Sequence, residues 1–171
     1  MELKTLTDRT FELFGITEPS QLGDALIDAC RDTEKLQAFN DLVEGDLNTD
    51  WMQQVYQYYL ADRKDKKQDF TPGSLARFMG MLAGDSKIIV DMCAGTGALI
   101  IQKWAMNHET RFIAIEYDKN LIPFLCFNMV LRNINCLIKW MDAIGEPVLL
   151  GSWQIKKGEK YGNIVNIKST L

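Results

Sequence analysis

Residues 87–98, KIIVDMCAGTGA, decide the fold of this chain. The stretch begins with β-branched apolar residues, which are typical of a buried strand, and an apolar helical pattern starts at Ala98. Between them, Gly95 and Gly97 permit a tight turn and let the backbone approach a ligand closely. The stretch therefore predicts a strand, a ligand-binding turn and a helix in direct succession.

The alternation of strand and helix continues downstream. Residues 111–116 and 136–140 are short apolar runs that predict two more strands, and a helix capped by Asp118 lies between them. This alternation is the pattern of a parallel α/β sheet. Residues 148–156 and 163–168 are extended in character and flank a glycine-containing turn, so we expect a C-terminal β-hairpin.

The N-terminal part is predicted to be helical. Residues 1–62 carry apolar stripes at helical spacing, with a good N-cap cluster, Asn-Thr-Asp, at 48–50. The charged segment 62–67 is typical of a solvated linker, and its basic residues also suit a patch near a nucleic acid. We expect an N-terminal helical region over residues 1–66 and a Rossmann-like domain over residues 67–171.

Composition favours a globular protein and argues against a free-standing DNA-binding protein. Apolar residues make up 47% of the chain and charged residues 25%, which excludes general disorder. The net charge is −4, whereas DNA-binding proteins usually carry a basic surplus to neutralise phosphates. Any contact with DNA therefore requires a local patch or a partner.

The cysteines and the single histidine do not predict a metal site. Cys30, Cys93, Cys126 and Cys136 form no CxxC pair, and His108 stands alone. Their apolar sequence surroundings suit reduced, buried thiols. No apolar run approaches the roughly 20 residues of a membrane span. We therefore expect a soluble, cytoplasmic protein that does not contact a membrane.

Three acidic residues follow the three predicted parallel strands. Asp91 is placed to meet a cationic group, Glu116 to accept hydrogen bonds from ribose hydroxyls, and Asp142 to accept one from an adenine amine. Glu116 lies 19 residues after Gly97, close to the spacing expected of a ribose-binding acid. Ile100 replaces the third glycine of a dinucleotide fingerprint, which favours a phosphate-free ligand such as S-adenosylmethionine.

Each of these features also has a structural interpretation. The glycine turn alone suits any tight connection, Glu116 alone suits a surface position, and Asp142 alone suits a loop acid or cap. Phe70 suits the core equally well. The aromatic residues Trp51, Tyr56 and Tyr59 favour helix packing over base stacking.

Taken together, the motifs resemble those of N6-adenine DNA methyltransferases, especially the modification subunits of type I restriction systems. Residues 91–97 look like the family's cofactor loop, and 68–72, QDFTP, resembles its Phe-Thr-Pro motif. Residues 115–118 are similar to its acidic-loop region, and 142–144 stand where it places an adenine-contacting acid. The resemblance covers residues 48–145.

The resemblance implies S-adenosylmethionine as cofactor and a Rossmann-like methyltransferase fold with an incomplete parallel sheet. Phe70 and Thr71 would flank the methionine part, and the loop after Asp91 would hold its amino acid and sulfonium. The implied cofactor-binding residues are Phe70, Thr71, Asp91, Cys93, Ala94, Gly95, Thr96, Gly97, Glu116, Tyr117, Asp142 and Ala143.

The chain departs from the family in one respect, and this departure leaves more than one functional hypothesis. The family's catalytic Asn/Asp-Pro-Pro-Tyr/Phe tetrapeptide, which holds the flipped adenine, is absent, because no two of the four prolines are adjacent. No catalytic residue is identified. The chain is expected to take part in methyl transfer to DNA adenine, alone or with a partner. Alternatively, it is an inactive regulator or assembly subunit of a restriction-modification system, whose hairpin pairs with a protein partner or a second copy. A small-molecule or protein methyltransferase is a third hypothesis.

Overall fold

The computed structural model of the chain describes residues 2–60, 70–145 and 148–169. The predicted linker at 62–67 lies outside them. The helices in these ranges are α1 (Leu3–Phe14), α2 (Leu22–Ala29), α3 (Thr33–Leu42), α4 (Trp51–Tyr59), α5 (Gly73–Leu82), α6 (Ala98–Met106) and α7 (Ile122–Leu131). The strands are β1 (Ile88–Asp91), β2 (Arg111–Glu116), β3 (Cys136–Trp140), β4 (Gly151–Lys156) and β5 (Asn163–Ser169).

The strands form one mixed sheet in the order β1-β2-β3-β4-β5. The first three are parallel, with Val90 opposite Ile113 and Ile113 opposite Leu137. The antiparallel pair β4 and β5 confirms the predicted hairpin, and β4 also pairs with β3, so the hairpin extends the same sheet. The α/β class is thus confirmed.

Helix α7 lies at the centre of the core. Nearly all of its residues are buried, which accounts for a sequence that is apolar all round. Its Phe127 ring makes edge-on contacts with Phe14 of α1 and Phe39 of α3, at centroid distances of 5.6 and 5.2 Å. One buried cluster therefore includes residues from both predicted regions. The boundary at residue 66 stays a prediction.

Some helix ends follow local sequence signals and others do not. Gly15 ends α1 with a left-handed φ of 68°, and Asp50 caps α4 by accepting a hydrogen bond from the Gln53 amide. The prediction that Asp118 caps α7 is wrong, because Asp118 caps a short 3-10 turn, Lys119–Leu121, and α7 begins after it at Ile122.

Helix α5 begins at Gly73, and Pro72 holds the N-cap position with a ψ of 144°. The sequence Thr71-Pro72 predicts an N-cap followed by proline at the first helical position. This prediction is wrong, because the extended backbone of Pro72 makes it the N-cap and starts the helix one residue later. No helix among the described residues combines the length and apolarity needed to cross a membrane.

Candidate functional site

The loop after β1 is attached to the end of β2 by backbone hydrogen bonds. The Ala94 amide donates to the Ile115 carbonyl at 3.0 Å, and the Gly95 amide donates to Glu116 Oε2 at 2.7 Å. Gly95 and Gly97 have φ values of 57° and 100°, which side-chain-bearing residues rarely adopt. Glycine is therefore required for this turn, as the sequence predicts.

Glu116 is buried at the carboxyl end of β2, and both of its carboxylate oxygens accept hydrogen bonds. It is 8% exposed, and Oε1 accepts from the Asp118 amide at 2.7 Å while Oε2 accepts from Gly95. Each carboxylate oxygen has a second acceptor position, so the group can still accept hydrogen bonds from a ligand. The structure thus places Glu116 as the link between the glycine loop and the end of β2.

Asp91 carries a buried oxygen without a partner. Its Oδ1 accepts from the Cys93 amide at 3.2 Å, but Oδ2 is buried and accepts no hydrogen bond from any described residue. Burial raises the pKa of Asp91, and the nearby charge of Glu116 raises it further, against the lowering effect of the Cys93 amide. A donor or cation supplied from outside the chain would satisfy this oxygen.

The three predicted acids lie around Cys93. Partial burial raises the pKa of its thiol most, and the negative charges of Glu116, Asp91 and Asp142 add to that rise. The structure therefore brings the acids at the ends of β1, β2 and β3 into one neighbourhood. Cys93 itself is exposed, so the expectation of a buried thiol is wrong for this cysteine, because the loop turns it away from the core.

Asp142 also shapes its own loop. Its Oδ1 accepts from the amides of Ile144 and Gly145 at 2.8 and 3.1 Å, and these bonds lower its pKa. The next residue, Ala143, is half-buried at the same rim. Asp142 thus caps its own loop, and this role does not prevent it from also contacting a ligand.

Phe70 packs beneath the glycine loop. Its ring lies 3.9 Å from the position that a Cβ on Gly95 would take, and it contacts Tyr56 edge-on at 5.7 Å. The Thr71 carbonyl accepts a long 3.5 Å hydrogen bond from Gln53 on α4. Tyr56 is buried and also packs on Phe124, so it serves helix packing as expected.

A buried polar network that the sequence did not reveal supports the loop from below. Thr96 Oγ1 donates to Asp50 Oδ2 at 2.6 Å, and Asn128 Nδ2 donates to Asp50 Oδ1 and to the Thr96 carbonyl, each at 2.8 Å. Arg132 completes the network by donating to Asn128 Oδ1 and to the carbonyls of Leu47 and Thr49. The only sequence signal was the N-cap cluster that contains Asp50.

The two ionisable groups of this network are both deeply buried. Burial raises the pKa of Asp50, although Arg132 and three hydrogen bonds oppose that rise. Burial likewise lowers the pKa of Arg132 to about 10, against the opposing effect of Asp50. Arg132 therefore stays charged at neutral pH and compensates part of the cost of burying the carboxylate.

A cavity of about 590 Å³ opens beside Glu116. Its lining residues are Glu116, Tyr117, Asp118, Lys119, Leu121, Trp140 and Leu150. Trp140 pairs with Glu116 in the sheet, and its indole Nε1 donates to the Tyr117 carbonyl at 3.0 Å. The sequence interpretation missed Trp140, although its place at the end of β3 marked it.

Asp91 lines a separate apolar cavity of about 290 Å³ between α5, α6 and β1. Thr71 borders a third, more polar cavity near the start of α5. The predicted residues thus surround the loop from several sides and do not share one enclosed chamber. Among the described residues, no group of three His, Cys, Asp or Glu side chains is arranged to hold a metal ion.

The comparisons with known proteins give one positive result. Searches of curated proteins and of solved structures each return no match. The family model for N-6 DNA methylase, in contrast, matches residues 47–156, which is more than half of the chain. The match begins just before Asp50 and ends with β4, so it includes the glycine loop, all three acids and the buried network. This chain belongs to the N-6 DNA methylase family.

Proposed function

We propose that this chain binds S-adenosylmethionine at the carboxyl ends of β1, β2 and β3, in a Rossmann-like arrangement. We propose further that it serves methyl transfer to the N6 amine of DNA adenine, either by itself or with a partner chain. Family membership supports the methyltransferase class. When bound, S-adenosylmethionine supplies a methyl group activated by a positively charged sulfonium.

The observation that carries the proposal is the unsatisfied Asp91 Oδ2 within a group of three acids. A buried carboxylate without a donor destabilises the folded chain, and like charges nearby add to the cost. A ligand that brings an ammonium and a sulfonium would offset both effects. The residues present therefore fit a cationic nucleoside better than a phosphate-bearing one.

The surroundings of Glu116 suit the nucleoside part of this ligand. The remaining acceptor positions of its carboxylate would bind the ribose hydroxyls. Tyr117, Trp140 and Leu150 offer aromatic and aliphatic surface for a purine in the adjoining cavity. Asp142 would accept from the adenine amine, with Ala143 beside it.

The other predicted residues would bind the methionine part. Phe70 lies against the loop at Gly95, and Thr71 follows it in the chain. Residues Cys93 to Gly97, the loop itself, would supply backbone and small side chains. Close approach is possible because glycine presents no side chain at positions 95 and 97.

Isothermal titration of the full chain with S-adenosylmethionine tests the proposal. We expect binding, and we expect Asp91→Asn and Glu116→Gln each to weaken it by roughly tenfold or more, because each removes a charge-assisted hydrogen bond. Glu12→Gln, which changes an exposed acid on α1, is the matched control and should leave the affinity unchanged. Absence of binding, or equal affinity in the Glu116→Gln variant, would contradict the proposal.

A second candidate is an inactive methyltransferase-like binding module in a restriction-modification system. The absence of the Asn/Asp-Pro-Pro-Tyr/Phe tetrapeptide favours it. In this case the end strand β5 would pair with a partner sheet or with a second copy. Incubation with methyl-labelled cofactor and duplex DNA separates the two, since transfer of label to adenine rules out the inactive module.

A further inference from the structure

One face of the sheet is apolar and stays outside the core. Successive residues of a strand point to opposite faces, and Phe112 and Ala114 of β2 are buried beneath the helices. The alternate residues, Ile113 and Ile115, therefore lie on the opposite face, which we call the outer face. The strand registers assign to it Ile88, Val90, Arg111, Ile113, Ile115, Leu137, Lys139, Ser152, Gln154, Lys156, Asn163 and Val165.

The outer face exposes aliphatic side chains on both sides of its centre. Ile88 and Val90 are 50% and 52% exposed at one end of the sheet, and Val165 is 51% exposed at the other. Ile113 and Leu137, between them, are half-buried but do not pack against the core cluster. The aliphatic surface is thus continuous across β1, β2 and β3, and Gln154 of β4 separates it from Val165.

Such a surface is unusual on parallel strands. Parallel sheets occur almost only with both faces covered, usually by helices, and their strands are apolar on both faces for that reason. A contiguous exposed apolar patch marks a site of interaction. The composition of the outer face therefore predicts that a helix covers it in the functional assembly.

The charges on the outer face indicate the sign of the charge that its partner carries. Arg111, Lys139 and Lys156 lie on it, whereas none of its assigned residues is acidic. None of the three cations forms an ion pair with a residue that the structure describes. In contrast, residues 1–60 contain 12 acidic and 4 basic residues. The outer face is thus a cationic surface on a chain whose net charge is −4.

We propose that the outer face binds an acidic amphipathic helix supplied by another polypeptide. The apolar stripe of the helix covers Val90, Ile113 and Leu137, and its flanking carboxylates pair with Arg111 and Lys139. Strand β2 has six residues and spans about 20 Å, which a helix of about 13 residues matches. This inference is independent of cofactor binding.

The same charges argue against two other occupants. Stacking the outer faces of two copies brings cations against cations, which opposes association. DNA would satisfy the cations, but its phosphates cannot bury the aliphatic side chains of Ile113 and Val90, which would remain hydrated.

A pair of designed peptides tests the proposal on the full chain. The first is a fluorescein-labelled helical peptide of about 18 residues with a leucine stripe flanked by glutamates, and the second carries lysine in place of every glutamate. We expect fluorescence anisotropy to show the glutamate peptide binding roughly tenfold or more tightly than the lysine peptide. The double variant Arg111→Glu/Lys139→Glu should reverse that preference.

Two further variants locate the binding. Val90→Glu, at a 52% exposed position inside the proposed contact, should weaken binding of the glutamate peptide by several-fold. Leu3→Glu on α1 changes a similarly exposed residue away from the sheet and should have no effect. Unchanged preference in the charge-reversed double variant would overturn the proposal.

Three other experimental outcomes would also overturn the proposal, and two of them would indicate a different occupant of the outer face. Binding to phosphatidylglycerol vesicles that Val90→Glu abolishes, with neither peptide bound, indicates a membrane surface. A concentration-dependent dimer that Val90→Glu dissociates, measured by sedimentation, indicates a second copy. Binding of neither peptide, without either of these results, also rejects an acidic helical partner.

Discussion

The Thr96 hydroxyl of the glycine loop donates a 2.6 Å hydrogen bond to the buried carboxylate of Asp50. These residues are 46 positions apart, and Asp50 is also the N-cap of α4. The loop at the candidate site is therefore supported by the helical layer that precedes it in sequence. This contact connects the stability of the N-terminal helices to the geometry of the loop.

Replacing Asp50 with alanine should affect both stability and cofactor binding. The variant removes the cap of α4 and leaves the buried Thr96 hydroxyl and one N–H of Asn128 without an acceptor, so we expect a loss of about 3 kcal/mol in the free energy of unfolding. Urea denaturation measures the loss. Isothermal titration should show weaker S-adenosylmethionine binding even at temperatures where the variant is folded.

The control for this variant is Asp32→Ala. Asp32 caps α3 by accepting from the amides of Glu34 and Lys35, and it forms no hydrogen bond with the glycine loop. We expect a loss of about 1 kcal/mol and unchanged affinity. Equal effects of the two variants on affinity would show that Asp50 acts only as a helix cap.

Gly97→Ala should destabilise the folded chain more than the same substitution at another glycine with a left-handed backbone conformation. A Cβ at Gly97 would lie 2.8 Å from Met129 Cε and 3.1 Å from Leu125 Cδ1, and φ is 100°. We expect a cost of roughly 2–3 kcal/mol, since strain and crowding add. At Gly15, where φ is 68° and no atom lies within 4 Å of the added Cβ, Gly15→Ala should cost about 1 kcal/mol. Equal thermal stability of the two variants would contradict this account.

Asp91→Asn should stabilise the ligand-free chain at neutral pH while weakening cofactor binding. Burial raises the pKa of Asp91 above the ordinary value of 3.8, so the folded state holds this proton more tightly than the unfolded state. Stability is therefore lost as pH rises from 3.8 through the folded pKa, and the variant avoids this loss. Thermal unfolding from pH 3 to pH 8 should show a difference in Tm that grows across this window and then levels off. A variant that is less stable at neutral pH would indicate that the carboxylate is satisfied in the folded chain.

Cys93 should report on occupancy of the site. It is the exposed one of the four cysteines, and burial raises the pKa of Cys30 to about 12 and that of Cys126 well above its ordinary value. Iodoacetamide should therefore modify Cys93 alone. The reaction should be slow at neutral pH, because burial and neighbouring acids raise the pKa of this thiol as well. Mass spectrometry should show protection by S-adenosylmethionine, and labelling at an unchanged rate with saturating ligand would place the ligand elsewhere.

The sequence by itself determined the order and limits of the elements that carry the site. The runs at 111–116 and 136–140 coincide with β2 and β3, because short β-branched segments between turn residues have few alternatives. The glycine requirement at 95 and 97 was also evident, since it depends on local backbone conformation. The acids at the strand ends were predictable because parallel strands bring their carboxyl ends to one edge.

Only the tertiary structure decided how these parts are joined. The contacts of Asp50 with Thr96 and Asn128 depend on packing between segments that are far apart in sequence, and no local pattern encodes them. The pairing of β4 with β3 likewise depends on a non-local register. The start of α5 at Gly73, one residue later than predicted, shows that even a local cap signal yields to backbone geometry. The tertiary structure also distinguished the three acids by their hydrogen bonds. Glu116 accepts from backbone amides, Asp142 accepts from amides of its own turn, and Asp91 keeps one buried oxygen without a donor.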